Sequence, residues 1–471
     1  MEERRIYYVD DANGDDASSG LSPQSAWKSL ERINGQTFWP GDIIRLKRGG
    51  EWHGMLHPAG SGKKRAPIVL ETYGEGERPR IHGDGSYAAI YLEGLSFWTV
   101  RDIAVTNRAA KRGIRQGICI CGSPTGITQG IRVENCEVSE VFGENRRERG
   151  AYGSMYWNSG IYVTSSGRTS AQNHLHDILI IGNYIHDVYT SGIRVNQEED
   201  FITDIHHTHV VIRGNRIERT GSDGIIVANC ILPLIEGNCC LDAGALGNKE
   251  ETRLIAGVWV CATKDALIQR NEVGGTRLFQ NDGTAFDTDW GTAGTTIFQY
   301  NYTHDNQGGF WLDCMGINRN RECEGTILRY NISVNDARCL IQDDYGIEAE
   351  LYGNLFLQTG EGAGPLICCH QTGASHLFRK NIFAFGGAPK NGWQASSYQE
   401  NWYAGLEAWP KEDTAGQPGI PFAPEGLSGT DTAMRECLAN RLGQSADERR
   451  QMWDLLAKAV GTRKLTGQQE G

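Results

Sequence analysis

The stretch "IIGNYIHDVYTSGIRVNQ", residues 180–197, sets two short runs of alternating apolar residues on either side of a small-residue turn, and the same pattern returns along the chain. "VIRGNRIERT" at 211–220 is followed by "DGIIVAN" at 223–229, "LIQRNEVGGT" at 267–276 by "DGTAFDTD" at 282–289, and "IFQYNYTHDN" at 297–306 by "GGFWLDC" at 308–314. Asn135, Asn183, Asn215, Asn238, Asn271, Asn301, Asn331, Asn354 and Asn381 mark the repeat, at intervals of roughly 20 to 50 residues, the signature of a solenoid. Alternation is the period of a strand, and helical periodicity is missing from these segments. Short strands without helices, stacked coil on coil, read as an all-β parallel β-helix in which each coil buries its inner residues against its neighbours. The recurrent Asn is expected in the turn, taking φ > 0 itself and bonding to its equivalents above and below.

Working outward, the repeat divides the chain into three parts: residues 1–84 as an N-terminal cap with the first coils, 85–405 as the catalytic solenoid, and 406–471 as a tail. The tail opens on a Gly- and Pro-rich segment and continues as "TAMRECLANRLGQSADERRQMWDLLAKAV", with a capping box from Ser445 to Glu448. A helical cap over the last coil is expected there, with an oligomer contact as the alternative. No apolar run in the 471 residues approaches the ~20 needed to span a membrane. "MEERRIYYVDD" is charged where a signal peptide is apolar, so a cytoplasmic chain is expected, or a secreted one if a leader has been trimmed. The net charge of −12 argues against nucleic-acid and polyanionic partners. The 13 cysteines lack paired zinc spacing and fall in apolar runs, as buried reduced thiols do. "DIHHTHV" brings His206, His207 and His209 together without an adjacent Asp or Cys, a surface strand rather than a metal site.

Carboxylates are depleted in strands, yet Asp287, Asp289 and Asp313 sit in strand-like segments. Counting from Gly283 and Gly309 as equivalent origins, the alternation turns Phe286, Phe310 and Leu312 inward and Asp287, Asp289, Trp311 and Asp313 outward. On that count Asp287 and Asp313 occupy one position in successive coils, about 5 Å apart. "RCLIQDDYG" then adds Asp343 and Asp344 at the end of the next such strand. Crowded carboxylates raise one another's pKa, so one acid can stay protonated beside an ionised partner, as glycosidic bond cleavage requires. Trp311, Trp259, Trp290, Tyr345 and, one coil on, His370 are the expected substrate contacts beside them.

The pattern resembles the right-handed parallel β-helix enzymes of polysaccharide metabolism. "YYVDDANGDDASSGLSPQSAWKSLERIN" with "PGDIIRLKRGGEWHG" looks like the opening of that superfamily, where a short helix caps the first coil. "NQGGFWLDC" and "GTILRYNISVNDARCLIQDD" resemble strands of glycoside hydrolase family one hundred and twenty, the β-helical β-xylosidases, and "AFDTD" resembles family one hundred and forty-one. The resemblance implies a retaining hydrolase of plant-type, xylo-oligosaccharide-like substrates, with Asp313 as nucleophile and Asp343 or Asp344 as acid/base, and no cofactor. This chain departs from the first family in carrying Asp for Glu at the second position and in the extra pair Asp287 and Asp289. The alternatives are a uronate lyase or epimerase, in which Asp287, Asp289 and Asp313 bind Ca²⁺ and Lys264 is the base, and a non-catalytic carbohydrate-binding solenoid.

Overall fold

The computed structural model describes residues 4–145, 157–165, 169–197, 205–248, 252, 254–315, 320, 322–358, 364–369, 375–394 and 396–419. The fold is the parallel β-helix, and every pairing between its named strands is parallel. The chain divides into two compact units, Met1–Arg253 and Leu254–Gly471. The helical tail expected after residue 433 and His370 both lie outside the described residues.

In the first unit, Ser29 caps the short helix Leu30–Asn34 by accepting the Arg32 amide, and the helix buries Leu30 and Ile33. A short helix thus lies within the stretch for which the N-terminal resemblance implied one. Three sheets follow, and the coils between Ile68 and Ala228 give one strand to each: Leu175–Ile181, Tyr184–Val188 and Ser191–Val195 form one coil, His207–Arg213, Arg216–Thr220 and Ile225–Ala228 the next. Ile161, Ile193 and Ile225 stack in register and are fully buried, as are Val163, Val195 and Val227. Burying whole columns of aliphatic side chains is what a short strand needs in place of a long one.

The asparagines form the ladder predicted, but the left-handed residue is the one before each Asn. Gly182, Gly214 and Gly237 in the first unit, and Arg270, Tyr300, Tyr330, Gly353, Lys380 and Glu400 in the second, have φ between 52° and 65°. That residue turns the corner, and the Asn after it points inward. In the first unit Asn183 donates its backbone and side-chain N–H to Asn215 Oδ1 (2.9 and 2.9 Å), and Asn215 repeats the pair toward Asn238. In the second unit the column runs Asn271, Asn301, Asn331, Asn354, Asn381 and Asn401. Its last member gives both donors to Asp413 Oδ2 (3.0 and 2.9 Å). Asn135 is not a rung: it holds the left-handed position (φ 50°), and Cys136 takes the inward place, donating its amide to Asn183 Oδ1.

No disulfide is found among the described cysteines, and those whose burial is described are buried except for Cys239 and Cys368, as their apolar setting predicted. No helix among the described residues is long and apolar enough to cross a membrane.

Candidate functional site

The acids gather on the third sheet of the second unit, made of Ala256–Cys261, Thr284–Thr288, Gly309–Asp313, Ile341–Asp343 and Ile367–Cys369 in that order. Phe286 packs against the buried Phe298 of a facing strand, which fixes its side of the strand as the interior. Asp287 and Asp289 therefore face outward, as expected from the alternation.

The next strand departs from the count. Gly309 pairs with Thr284 rather than with Gly283, so Asp287 lies opposite Leu312 and Asp313 opposite Thr288 and Asp343. The physical cause is local. Gly309 takes φ 128°, and the amides of both Phe310 and Trp311 donate to the Leu340 carbonyl (3.0 and 3.2 Å), so two consecutive side chains turn inward. Phe310 packs on Phe286 and Phe356. Trp311 is fully buried, donates Nε1–H to Thr288 Oγ1 (3.0 Å) and lies edge-on to His376. From there the alternation resumes one residue out of step. Asp313 and Asp343 face the interior with no exposed surface, and Trp311 is a core residue rather than a substrate platform.

Outside, two rows of side chains remain. One row runs Trp259, Asp287, Leu312, Gln342 and Cys368 across the strands. One step further along, the ladder continues through the amides of Asp289, Cys314 and Asp344, which donate to Val260, Thr288 and Asp313 carbonyls (2.9, 3.0 and 2.9 Å). Cys314 thus stands between Asp289 and Asp344. Its thiol is raised well above the ordinary range, by burial first and then by the charges of Asp287, Asp289, Asp282 and Asp344.

Asp282 is the member the sequence reading missed. It closes a tight loop through reciprocal backbone bonds with Phe279 (2.9 and 3.1 Å) and reaches across the sheet, where Gln342 Nε2 donates to its Oδ1 (3.0 Å). Gln342 is held in turn by Arg338 Nη1 (2.7 Å). The signal was the "NDG" turn before the strand, read only as a strand start. Asp289 Oδ1 accepts the Trp290 amide (2.9 Å), so Trp290 adjoins the cluster; Tyr345, 40% exposed, stands beside Asp344 at its rim. Four carboxylates and two aromatic neighbours gather on this side of the sheet around the buried Gln342 amide, with Asp287 7% exposed, and such a group can bind a polar, ring-shaped ligand and hand it a proton.

No family model matches the chain. A lacto-N-biosidase of Bifidobacterium longum subsp. longum is 24% identical over 505 residues, a match that takes in 86% of this chain and 31% of that protein. The chain therefore spans about a third of the length of the curated relative it matches. Among solved structures, a GH136 lacto-N-biosidase from Eubacterium ramulus superposes with a TM-score of 0.70 at 25% identity, covering 80% of this chain and 67% of that one. The complex of XylC with xylose shares the fold alone, with a TM-score of 0.51 at 12% identity over 89% of this chain and 87% of that one. Both lacto-N-biosidase matches place the chain beside β-helix glycosidases; neither points to the families numbered one hundred and twenty or one hundred and forty-one.

Proposed function

We propose that the chain carries a glycoside hydrolase site of the lacto-N-biosidase type, acting on oligosaccharides through two carboxylates drawn from Asp282, Asp287, Asp289 and Asp344. The observation that carries this reading is the convergence of those four acids around Cys314 on the outer face, with Trp259 in register beside Asp287. A glycosidase needs one carboxyl that is protonated and one that is ionised within a few ångströms of the scissile bond, and crowding of this kind separates two such groups. The proposal leaves Asp313 and Asp343 out of the reacting pair, because both carboxyls are fully buried. The xylo-oligosaccharide reading gives way to a lacto-N-bioside one, which the two relatives support.

The lyase reading is disfavoured on the chain's own residues as well. Lys264 Nζ bonds Glu322 Oε2 (2.8 Å), and that hydrogen bond raises its pKa, the reverse of what a general base at neutral pH needs. Hydrolysis without a resident metal is part of the proposal. The test is release of nitrophenol from a lacto-N-bioside, scored against xylosides, fucosides and uronate polymers, each with and without chelator. Cleavage of the lacto-N-bioside that survives chelation supports the reading. Unsaturated products from a uronate polymer, lost on chelation and restored by Ca²⁺, would replace it with the lyase.

A further inference from the structure

Asp313 and Asp343 lie directly beneath the outer cluster, and their hydrogen bonds run to the turns that carry it. Asp313 Oδ1 accepts the Met315 amide (3.2 Å) and Oδ2 the Ile347 amide (3.1 Å), so one side chain ties the turn after its own strand to the turn after the next. Asp343 Oδ1 accepts the Gly346 amide (2.8 Å) in the same second turn. The first turn bears Cys314, and the second bears Asp344 and Tyr345, the latter in the left-handed region at φ 67°. A Cβ at Gly346 would sit 2.3 Å from Asp313 Oδ2 and 2.7 Å from Asp343 Oδ1, which puts those two oxygens within 5.0 Å of each other. Gly346 is required here by space and not by its backbone angle, since its φ lies outside the left-handed region.

We propose that Asp313 and Asp343 are positioning residues, a buried acid pair that clamps the two turns on which Cys314, Asp344 and Tyr345 stand and so fixes the rim of the acidic site. This rests on the reading of that site given above. Burial pushes the Asp313 carboxyl well above the usual carboxylate range, and the neighbouring Asp343 adds to it, while the two backbone N–H groups oppose the rise. His376, whose Nε2 is 3.8 Å from Asp343 Oδ2, is held neutral because burial lowers its pKa to about 4. Neutral His376 and a hydrogen-bonded acid pair make a rigid floor, not a reacting centre. Displacing a catalytic group by about 1 Å costs on the order of 10²-fold in rate, so a clamp at this place is felt in turnover before it is felt in binding.

The experiment compares wild type, Asp313→Asn, Asp313→Ala, Gly346→Ala and the double variant Asp313→Ala/Gly346→Ala. Two readouts are taken: kcat and KM on the lacto-N-bioside, and amide hydrogen exchange of peptides containing Met315 and Ile347. The clamp predicts kcat lower by about 10- to 100-fold in Asp313→Asn and Gly346→Ala, KM within about 3-fold, and faster exchange at both amides. The added cost of Gly346→Ala is expected to be smaller in the Asp313→Ala background than in wild type, because the closest clash is then gone and the one with Asp343 Oδ1 remains. Unchanged exchange in Asp313→Asn overturns the clamp, whatever the activity. Faster exchange with wild-type kcat overturns its bearing on the site. Complete loss of turnover in Asp313→Asn that azide or formate restores would make Asp313 a reacting carboxylate instead. If wild type cleaves no glycoside, the functional reading fails on its own, and the exchange arm still decides the clamp.

Discussion

Replacing Asn215 with Ala should cost the first unit about 4 kcal/mol, whereas Asn135→Gly should cost almost nothing, although the two residues look alike in the repeat. Asn215 is 1% exposed. Its Oδ1 accepts the backbone and side-chain N–H of Asn183 (2.9 and 2.9 Å), and its Nδ2 donates to the Ile180 carbonyl and to Asn238 Oδ1 (2.9 and 2.9 Å). Truncation removes four buried hydrogen bonds worth roughly 1 kcal/mol each, and water does not replace them at a buried corner. Asn135 is exposed, bonds the solvent-facing Arg78 (2.9 Å) and Asp102, and sits at φ 50°, where Gly is at least as comfortable. Chemical denaturation followed by near-ultraviolet circular dichroism gives both values. Against a total stability of about 5–15 kcal/mol, the Asn215 variant should show a large fall in midpoint and the Asn135 variant a shift near the error. Equal midpoints for the two would refute the ladder as a source of stability and return the asparagines to the status of turn residues.

Other outcomes follow from the same geometry. Asp287→Asn and Asp289→Asn should each lower kcat by more than about 10²-fold without lowering the unfolding temperature, because neutralising one member of a crowded acid cluster relieves repulsion; full turnover in both would remove them from the reacting pair. Asp336 is buried, which lifts its pKa to about 6 despite hydrogen bonds from Ser333, Thr303 and Asn306. The folded state therefore binds its proton more tightly than the unfolded chain, and stability falls as pH rises from about 4 to about 6, by on the order of 2–3 kcal/mol. Asp336→Asn should flatten that stretch of a stability-against-pH curve and raise stability at neutral pH; an unchanged slope would deny the shift.

The solenoid was legible because its signals are local and repeated: alternation within a strand, a Gly at the head of many strands, and an Asn that recurs once per coil. The short N-terminal helix, by contrast, was expected from resemblance alone. Register between strands was not legible. It depends on which residue of one coil lies against which of the next, and a Gly at the head of each strand looked like a common origin. Gly309 at φ 128° breaks that origin, and one irregular residue sent Asp313 and Trp311 to the opposite face from the one counted; Asp343, whose strand has no Gly at its head and whose face was not counted, follows Asp313 inward. Asp282 escaped for a related reason. Its loop folds back over the sheet, and its partner Gln342 is 60 residues away, beyond what alternation along a strand encodes. The left-handed corner was placed one residue late because Asn tolerates such angles, whereas Arg270, Tyr300, Tyr330, Lys380 and Glu400 gave no sign of doing so.

The amide column of the second unit has a direction. Each Asn presents two donors to one neighbour and one acceptor to the other, so a coil can be stacked on the accepting side only by another residue able to donate in its turn. Asp413 accepts from Asn401, Glu400 and Tyr403 and, as a carboxylate, has nothing to pass on. It is a terminator in the sense a polymer chemist gives the word. Gene duplication could lengthen this column by inserting units anywhere before residue 413, where every new Asn finds a giver and a taker, and the column of amides itself ends at Asp413. Asp413→Asn would put donors back at the end of the column.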